Sequence, residues 1–224
     1  MQAPDELINA LLIVPLTLLP IMNPLSSAPI FMMTAGEDPG TVKRLARQVS
    51  LNCLYVILGA LFIGTYVLDI FGISLPIVRV GGGLLVATSG WRMLNRNDDD
   101  EVRAAVARGH ATALSSREIV QRSFFPITFP LTTGPGTISA AIALGATLPR
   151  QPARYVVAAL LAVAGAALTV AAVYLIYRNA PRLLARLGDV GTLVMMRLMA
   201  FVLLCIGIEI LWTGWAELNH LVQP

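Results

Sequence analysis

The sequence predicts an all-α integral membrane protein with six transmembrane helices, arranged as two inverted repeats of three helices each. Three observations lead to this prediction: an apolar composition, six apolar segments of membrane-spanning length, and a similarity between the two halves of the chain. The 224 residues are 56% hydrophobic and only 13% charged, and the mean hydropathy is +0.73. A soluble domain of this size needs more polar residues to cover its surface. The chain is therefore expected to lie in lipid.

The six segments are counted from their length, because a hydrocarbon core about 30 Å thick requires roughly 20 apolar residues per helix. Approximate bounds for the six predicted spans are Leu7 to Met33, Val49 to Phe71, Leu75 to Leu94, Phe124 to Leu148, Tyr155 to Tyr177 and Leu193 to Trp215. Residues 1–94 then form the first repeat, residues 95–122 a solvated cytoplasmic linker, and residues 123–224 the second repeat.

Lys and Arg indicate the orientation, because cytoplasmic loops retain positive charge. With the N-terminus outside, the outer loops hold only Arg150 and Arg154. The inner loops then carry Lys43, Arg44, Arg47, Arg92, Arg96, Arg103, Arg108, Arg117, Arg122, Arg178, Arg182 and Arg186. Both termini are therefore expected outside the membrane. Four aromatic residues near helix ends, Trp91, Tyr177, Trp212 and Trp215, are interpreted as anchors at the membrane surface.

The two halves resemble each other at two places. The stretch from Pro20 to Ser27 in the first span is similar to that from Pro130 to Thr137 in the fourth, allowing one extra residue. In the third and sixth spans, residues 79–87 align with residues 197–205 without a gap, so that Arg79 corresponds to Arg197. A repeat of three spans crosses the bilayer in the opposite sense the second time. The two halves are therefore expected to be inverted.

Prolines interrupt the first and fourth spans at corresponding positions, at Asn23-Pro24 and at Thr132 to Gly136. Proline breaks a helix and frees backbone groups, which persist in a membrane only where they face protein or a polar cavity. Paired interruptions of this kind mark the binding site in many transporters. The restarting half-helix suits a carboxylate, and the carbonyls of the half-helix that stops suit an ammonium group or Na⁺. The predicted binding residues are Asn23, Pro24, Ser26, Ser27, Thr132, Thr133, Gly134, Pro135, Gly136 and Thr137.

Ionisable residues inside spans are costly and often functional. Arg79 and Glu209 are placed at a similar depth, so a salt bridge between them is expected, with a gating or proton-coupling role as the alternative. Arg197 lies near the inner face without an acid at matching depth. It is expected to reach the membrane surface or to bind carbonyls at a helix end.

Enzymatic chemistry is not expected from this sequence. The two histidines, His110 and His220, both fall in polar segments outside the spans, and Glu209 is the one convincing acid within them. Metal, Ser-His or paired-acid catalysis is therefore unsupported, and no cofactor is predicted. Most basic residues lie between the spans rather than in a patch with aromatics, which argues against a nucleic-acid partner.

The motifs resemble one known family. The stretches Asn23-Pro24-Leu-Ser26-Ser27 and Gly134-Pro135-Gly136-Thr137 are similar to the paired motifs of the MarC family of bacterial and archaeal inner-membrane proteins, and the similarity covers nearly the whole chain. The resemblance implies a six-helix inner-membrane protein that transports small neutral amino acids such as glycine and alanine. Ser26 replaces the usual family Gly, which would narrow the pocket or add a hydrogen bond.

The sequence thus favours a secondary transporter of small neutral amino acids or similar zwitterionic solutes. Two other readings stay open: a passive channel for a small polar solute, and a structural or stress-response role. Substrate identity, direction, coupling to H⁺ or Na⁺, oligomeric state and the form of the two helix breaks are not determined by the sequence.

Overall fold

The computed structural model describes residues 4–36, 38–95, 116–149 and 151–219, which are almost entirely helical. The helices in chain order are α1 (Pro4–Met22), α2 (Pro24–Ala35), α3 (Pro39–Phe71), α4 (Leu75–Leu94), α5 (Ser116–Arg122), α6 (Pro135–Ala146), α7 (Pro152–Arg178) and α8 (Ala180–Leu218). An irregular segment, Ser123–Thr132, joins α5 to the turn before α6. Within the predicted linker, residues 116–122 are helical, whereas residues 96–115 lie outside the described residues. The same holds for Arg150 and His220.

Several helices are long and apolar enough to cross a membrane. In the described ranges they are α3, residues Arg154–Arg178 of α7 and Val190–Leu218 of α8. Two bent pairs raise the number to five if each pair is one span: α1 with α2, bent by 55°, and Glu118–Thr132 with α6, bent by 70°. The chain therefore has the architecture of a multi-pass membrane protein, with interruptions where the prolines of the first and fourth predicted spans lie.

The third predicted span is a helix, but it is less apolar than the others. Helix α4 has the predicted bounds, Leu75–Leu94, but it is not among the helices apolar enough to count as a span. Four glycines and two arginines within its 20 residues lower its hydropathy.

Proline and cap residues set where the helices start. Proline stands in the first turn of α2, α3, α4, α6, α7 and α8, where its missing N–H is not needed. Helix α3 starts ten residues before the predicted second span. Its N-cap, Asp38, accepts hydrogen bonds of 2.7 Å from the Thr41 hydroxyl and the Thr41 N–H. These bonds hold the pKa of the Asp38 carboxyl below its ordinary value.

Helices α4 and α8 pack antiparallel along a seam of small residues. A Cβ added to Gly83 or Gly90 of α4 would collide with the backbone of α8, and one added to Gly207 or Gly214 would collide with the backbone of α4. The glycines are spaced seven residues apart on each helix, so they lie on one face. This close approach of two backbones is the usual packing mode of membrane helices with small residues.

The other helices surround the two breaks. Helix α1 packs against α7, α3 packs against α6 and α7, and α2 packs against α7 and α8. Helix α6 lies between α3 and α4. A Cβ on Gly136, near the start of α6, would collide with Val86 of α4, and one on Gly145, near its end, would collide with the backbone of Leu61 in α3. Helix α6 is thus packed tightly at both ends.

The predicted salt bridge between Arg79 and Glu209 is wrong. Arg79 pairs with Glu217 instead, near the end of α8, and Glu209 is exposed. Two causes explain the error: α8 continues past the predicted span to Leu218, and Glu209 lies off the helix face that carries Gly207 and packs on α4.

Arg197 has the kind of partner expected for it. Its Nη1 donates a 2.9 Å hydrogen bond to the carbonyl oxygen of Leu94, the last residue of α4. Arg79 and Arg197, which correspond in the sequence repeat, therefore both join α4 to α8, at opposite ends of the pair.

Candidate functional site

The first break is made by a single residue, Asn23, between α1 and α2. Its φ of 45° and ψ of 56° lie in the left-handed region, where Asn is one of the few tolerated side chains. As the N-cap of α2, its Oδ1 accepts a 3.4 Å hydrogen bond from the N–H of Ser26. Its carbonyl oxygen accepts a 3.2 Å hydrogen bond from the Ser27 hydroxyl. One polar side chain therefore ends one helix and starts the next.

Two polar atoms at this break have no hydrogen-bond partner among the residues that the structure describes. They are Asn23 Nδ2 and Ser26 Oγ, and both are buried. The Ser50 hydroxyl on α3 is buried without a partner in the same way. A buried donor without a partner costs about 1–3 kcal/mol, so native proteins rarely keep one without a reason. The Asn23 amide carries two donor hydrogens and the Ser26 hydroxyl carries one. The first break thus holds unused hydrogen-bonding capacity next to the start of α2.

The second break is longer. Within the irregular segment, Phe125 and Phe129 have extended backbones, with φ/ψ of −121°/125° and −118°/126°. Each precedes a proline, and proline disfavours helical backbone in the residue before it. Both Phe-Pro peptide bonds are cis.

Threonine hydroxyls support this irregular backbone. Thr128, Thr132 and Thr133 each donate a hydrogen bond of 2.7–2.9 Å to the carbonyl oxygen five residues earlier. Because each hydroxyl hydrogen is already used, these groups retain only acceptor capacity. The second break therefore satisfies its own freed carbonyls.

Helix α6 begins directly after this segment. Its N-cap, Gly134, has no side chain to bond the first N–H groups of the helix. Gly136 and Thr137 are buried, Gly134 is half-buried and Pro135 is exposed. Of the ten predicted binding residues, Pro135 alone is thus turned away from the interior.

Tyr177 connects the two breaks. It is wholly buried near the end of α7, and its hydroxyl lies 2.7 Å from Thr132 Oγ1. The Ser27 hydroxyl lies beside the same phenol oxygen. The Tyr177 ring stacks on Phe31 of α2, with ring centroids 4.5 Å apart and planes 1° from parallel. The structure therefore brings Ser27 of the first break and Thr132 of the second to one tyrosine.

The interpretation of Tyr177 as a surface anchor is accordingly wrong. A Tyr before Arg178 at a helix end has the sequence pattern of an interfacial anchor, but α2 and the irregular segment cover it. The three tryptophans differ from Tyr177 in this respect, since Trp91, Trp212 and Trp215 are all more than half exposed. One signal was available in the sequence: Ser27 and Phe31 are four residues apart, so they lie on one face of α2.

Cys53 of α3 is another residue that the sequence reading did not assign to the site. It is buried, with the side chains of Thr133 and Thr128 beside its thiol. The breaks are thus surrounded by hydroxyl, amide, thiol and aromatic groups, and the site residues carry no charge. In the described parts of the chain no group of three or more His, Cys, Asp or Glu side chains is placed to hold a metal ion.

A separate cleft of about 580 Å³ opens at the far end of α6. Its walls are the C-terminal ends of α3 and α6 and the N-terminal ends of α4 and α7, and they include Asp69, Ser74 and Tyr155. Helix α6 is 12 residues long, so this cleft lies roughly 18 Å from the second break along the helix. It is therefore distinct from the site at the breaks.

Comparison with known proteins identifies the relatives of the chain. Residues 8–218 match the family model described as MarC family integral membrane protein. The chain is 31% identical to the inner membrane protein MarC of Escherichia coli O157:H7 over 209 residues, covering 91% of this chain and 94% of that protein. It is 30% identical over 204 residues to the proteins of the same name from E. coli K12 and Shigella flexneri. No solved structure matches the chain. The chain therefore belongs to the MarC family of integral membrane proteins, as its paired proline motifs predicted.

Proposed function

We propose that this protein is a secondary transporter of small neutral amino acids or similar zwitterionic solutes, which bind where the two broken helices meet. The relatives are named as inner membrane proteins, and we place this protein in the same bacterial membrane. The proposal includes six spans in two inverted halves with both termini outside.

The packing of the helices supports the inverted repeat. Exchanging the two halves maps α1 onto the irregular segment, α2 onto α6, α3 onto α7 and α4 onto α8. Each main contact then has a counterpart in the other half. The contact of α1 with α7 corresponds to that of the irregular segment with α3. The contacts of α2 with α8 and with α7 correspond to those of α6 with α4 and with α3. The contact of α4 with α8 maps onto itself.

Helix α4 is the third span in this proposal, and it raises the number of spans from five to six. Its first turns lie beside Gly214 and its last turns lie beside Ala200 and Leu204, so it follows α8 over nearly its whole length. A helix of 20 residues is about 30 Å long, which matches the hydrocarbon core. An antiparallel partner of a spanning helix crosses the same thickness of membrane.

The single observation that carries the function is the unpartnered polar pair at the first break, Asn23 Nδ2 and Ser26 Oγ. Both atoms are donors, and both lie at the start of α2, where helix N–H groups favour negative charge. The site lacks charged side chains, so a net-neutral solute is preferred to an ion. A carboxylate at the first break, with an ammonium group near hydroxyl oxygens of the second, satisfies these groups.

The test uses purified protein in liposomes loaded with unlabelled alanine, with labelled alanine outside. We expect saturable exchange well above that of empty liposomes. Ser26→Ala removes the free hydroxyl, and the loss of a hydrogen bond to a charged group predicts uptake lowered by about tenfold or more. The same variant should unfold at or above the wild-type temperature, because an unsatisfied buried hydroxyl has been removed.

The matched control is Ser89→Ala on the exposed face of α4, where the hydroxyl donates a hydrogen bond to the Leu85 carbonyl of its own helix. Both its uptake and its unfolding temperature should equal those of the wild type. Wild-type uptake of alanine and glycine no faster than that of empty liposomes, under H⁺ and Na⁺ gradients, would refute amino-acid transport. Flux that rises in proportion to concentration without exchange would instead indicate a channel.

A further inference from the structure

Tyr177 occupies a position where tyrosine is unusual. Tyrosine near a helix end normally keeps its hydroxyl in water or at the membrane surface. Here the whole side chain is buried, whereas Tyr174, one turn earlier on α7, is half-buried with its ring 5.9 Å from the Arg178 guanidinium. Two tyrosines on one helix, three residues apart, therefore differ in burial.

The direction of the Tyr177 hydrogen bond follows from proton counting. The Thr132 hydroxyl has one hydrogen, and that hydrogen is donated to the Ile127 carbonyl at 2.8 Å. The assignment that satisfies both contacts of Thr132 has the Tyr177 hydroxyl donating its hydrogen to Thr132 Oγ1 across the 2.7 Å contact. Tyr177 is the donor, and its direction is fixed by a threonine of the second break.

The ring of Tyr177 is fixed from the other side by the first break. Phe31 and Ser27 are one turn apart on α2, and Phe31 stacks on the Tyr177 ring while Ser27 lies beside its hydroxyl. Both rings are wholly buried. An aromatic pair held by packing on one face and by a hydrogen bond at its tip has little freedom to move aside.

We propose that Tyr177 is a specificity-determining residue of the site: its ring limits the size of the solute that fits between the two breaks, and its hydroxyl fixes the ring through Thr132. This inference rests on the proposed transport function. The solute class it selects is amino acids with small side chains, such as glycine and alanine. Leucine and other large aliphatic amino acids are excluded by the ring.

The main experiment compares alanine and leucine in the same exchange assay, with Tyr177→Val as the variant. Space that the ring vacates admits a longer side chain, and one methylene in an apolar pocket changes selectivity by about tenfold or more. The ratio of kcat/KM for leucine to that for alanine should therefore rise by at least about tenfold. Tyr177→Phe keeps the ring, so its ratio should stay within about threefold of wild type.

The matched control is Tyr174→Val, the same change one turn away. Its leucine-to-alanine ratio should equal the wild-type ratio. If Tyr177→Val does not give folded protein by size-exclusion chromatography, Phe31→Leu is the second variant, because loss of the stacked ring lets Tyr177 turn aside and should raise the same ratio. A purely structural role would lower exchange of both amino acids together and leave the ratio unchanged.

A second measurement, on the ligand-free protein, tests the hydrogen bond between the Tyr177 hydroxyl and Thr132. Thr132→Val and Tyr177→Phe remove the two ends of one hydrogen bond, so the double variant should lose less thermal stability than the sum of the single variants, by about 2 °C or more. Thr132→Val combined with Tyr174→Phe should be additive.

The outcomes separate the two proposals. Wild-type protein that exchanges neither amino acid refutes the transport function and, with it, the selectivity assigned to Tyr177. Wild-type protein that exchanges alanine, with a folded Tyr177→Val or Phe31→Leu variant whose ratio is unchanged, refutes the role of Tyr177 alone. Additive Thr132 and Tyr177 variants refute the contribution of the hydroxyl.

Discussion

The two helix breaks bend the chain by 55° and 70°, yet they are built from different local chemistry. At the first break a single left-handed residue, Asn23, joins two regular helices. At the second, the ten residues of Ser123–Thr132 are irregular, and their threonine hydroxyls bond carbonyls that the helix has released. Both bends are smaller than a right angle, so each second half-helix continues in the general direction of the first.

The difference indicates a division of roles. The hydroxyls of Thr128, Thr132 and Thr133 are occupied by the backbone, so the second break is stable without a ligand. At the first break, Asn23 Nδ2 and Ser26 Oγ remain unpartnered in the interior. We infer that the first break recognises the solute and that the second shapes the space around it.

The largest expected effect concerns the packing of the second break. Gly136→Val places a side chain where Val86 of α4 already lies, and overpacking of this kind costs about 3 kcal/mol. The corresponding residue after the first break is Leu25, which is only half-buried, so Leu25→Val should cost less than about 1.5 kcal/mol. Thermal unfolding in detergent measures both changes.

The control for this comparison is Gly81→Val on α4, where an added Cβ meets no atom within 4 Å. Its unfolding temperature should stay close to that of the wild type. A Gly136→Val variant as stable as the Gly81→Val variant would show that α6 does not depend on close contact with α4.

The second expected effect isolates the backbone of the first break. Asn23→Ala loses the cap, worth about 1 kcal/mol, and places Ala in the left-handed region at a further cost of about 1–2 kcal/mol. Asn23→Gly tolerates the same backbone and should cost about 0.5 kcal/mol. If thermal unfolding shows the same loss of stability for both variants, the left-handed conformation of residue 23 is not important for stability.

The smallest expected effect contrasts two caps, the buried neutral Asn23 and the exposed charged Asp38. Hydrogen bonds from Thr41 lower the pKa of Asp38 in the folded protein below the ordinary value of 3.8. The ionised cap therefore stabilises α3 above about pH 4, and this contribution is lost as the pH falls through the lowered pKa.

Asp38→Asn provides the measurement. The difference in unfolding temperature between wild type and this variant should shrink as the pH is lowered from 6 to 3. A difference that stays constant or grows would contradict the pKa shift. Asn23 does not titrate, so the first break should add no pH dependence of its own.

Proline, glycine and hydropathy predicted the general form of this molecule. The interruptions at Asn23-Pro24 and before Pro135 lie where the sequence places them, because proline acts through local sterics that hold in any environment. The start of the irregularity at Ser123 was not predicted. Hydropathy carries no information on backbone conformation, although Pro126 and Pro130 were visible in the sequence and bias the residues before them towards extended backbone.

Pairings between distant residues were predicted less well. Arg79 was matched to Glu209 by counting residues from estimated helix ends, whereas in the structure Arg79 lies beside Gly214 and its guanidinium reaches Glu217, about two helical turns beyond Glu209. Tyr177 was misread because its local sequence is that of an anchor. Its burial depends on α2 and the irregular segment, which are far away in the chain and which no local pattern reveals.

Helix α6 restricts how this protein can move. Its first turn meets α4 at Val86, its last turn meets α3 at Leu61, and Ser139 in between donates a 2.7 Å hydrogen bond to the Val78 carbonyl of α4. Because backbone-to-backbone seams do not deform like flexible side chains, we expect α4 and α8 to move together as one body. A motion that widens the second break can then occur in two ways. Either α4 and α8 move together with α6, or the far end of α6 slides along α3.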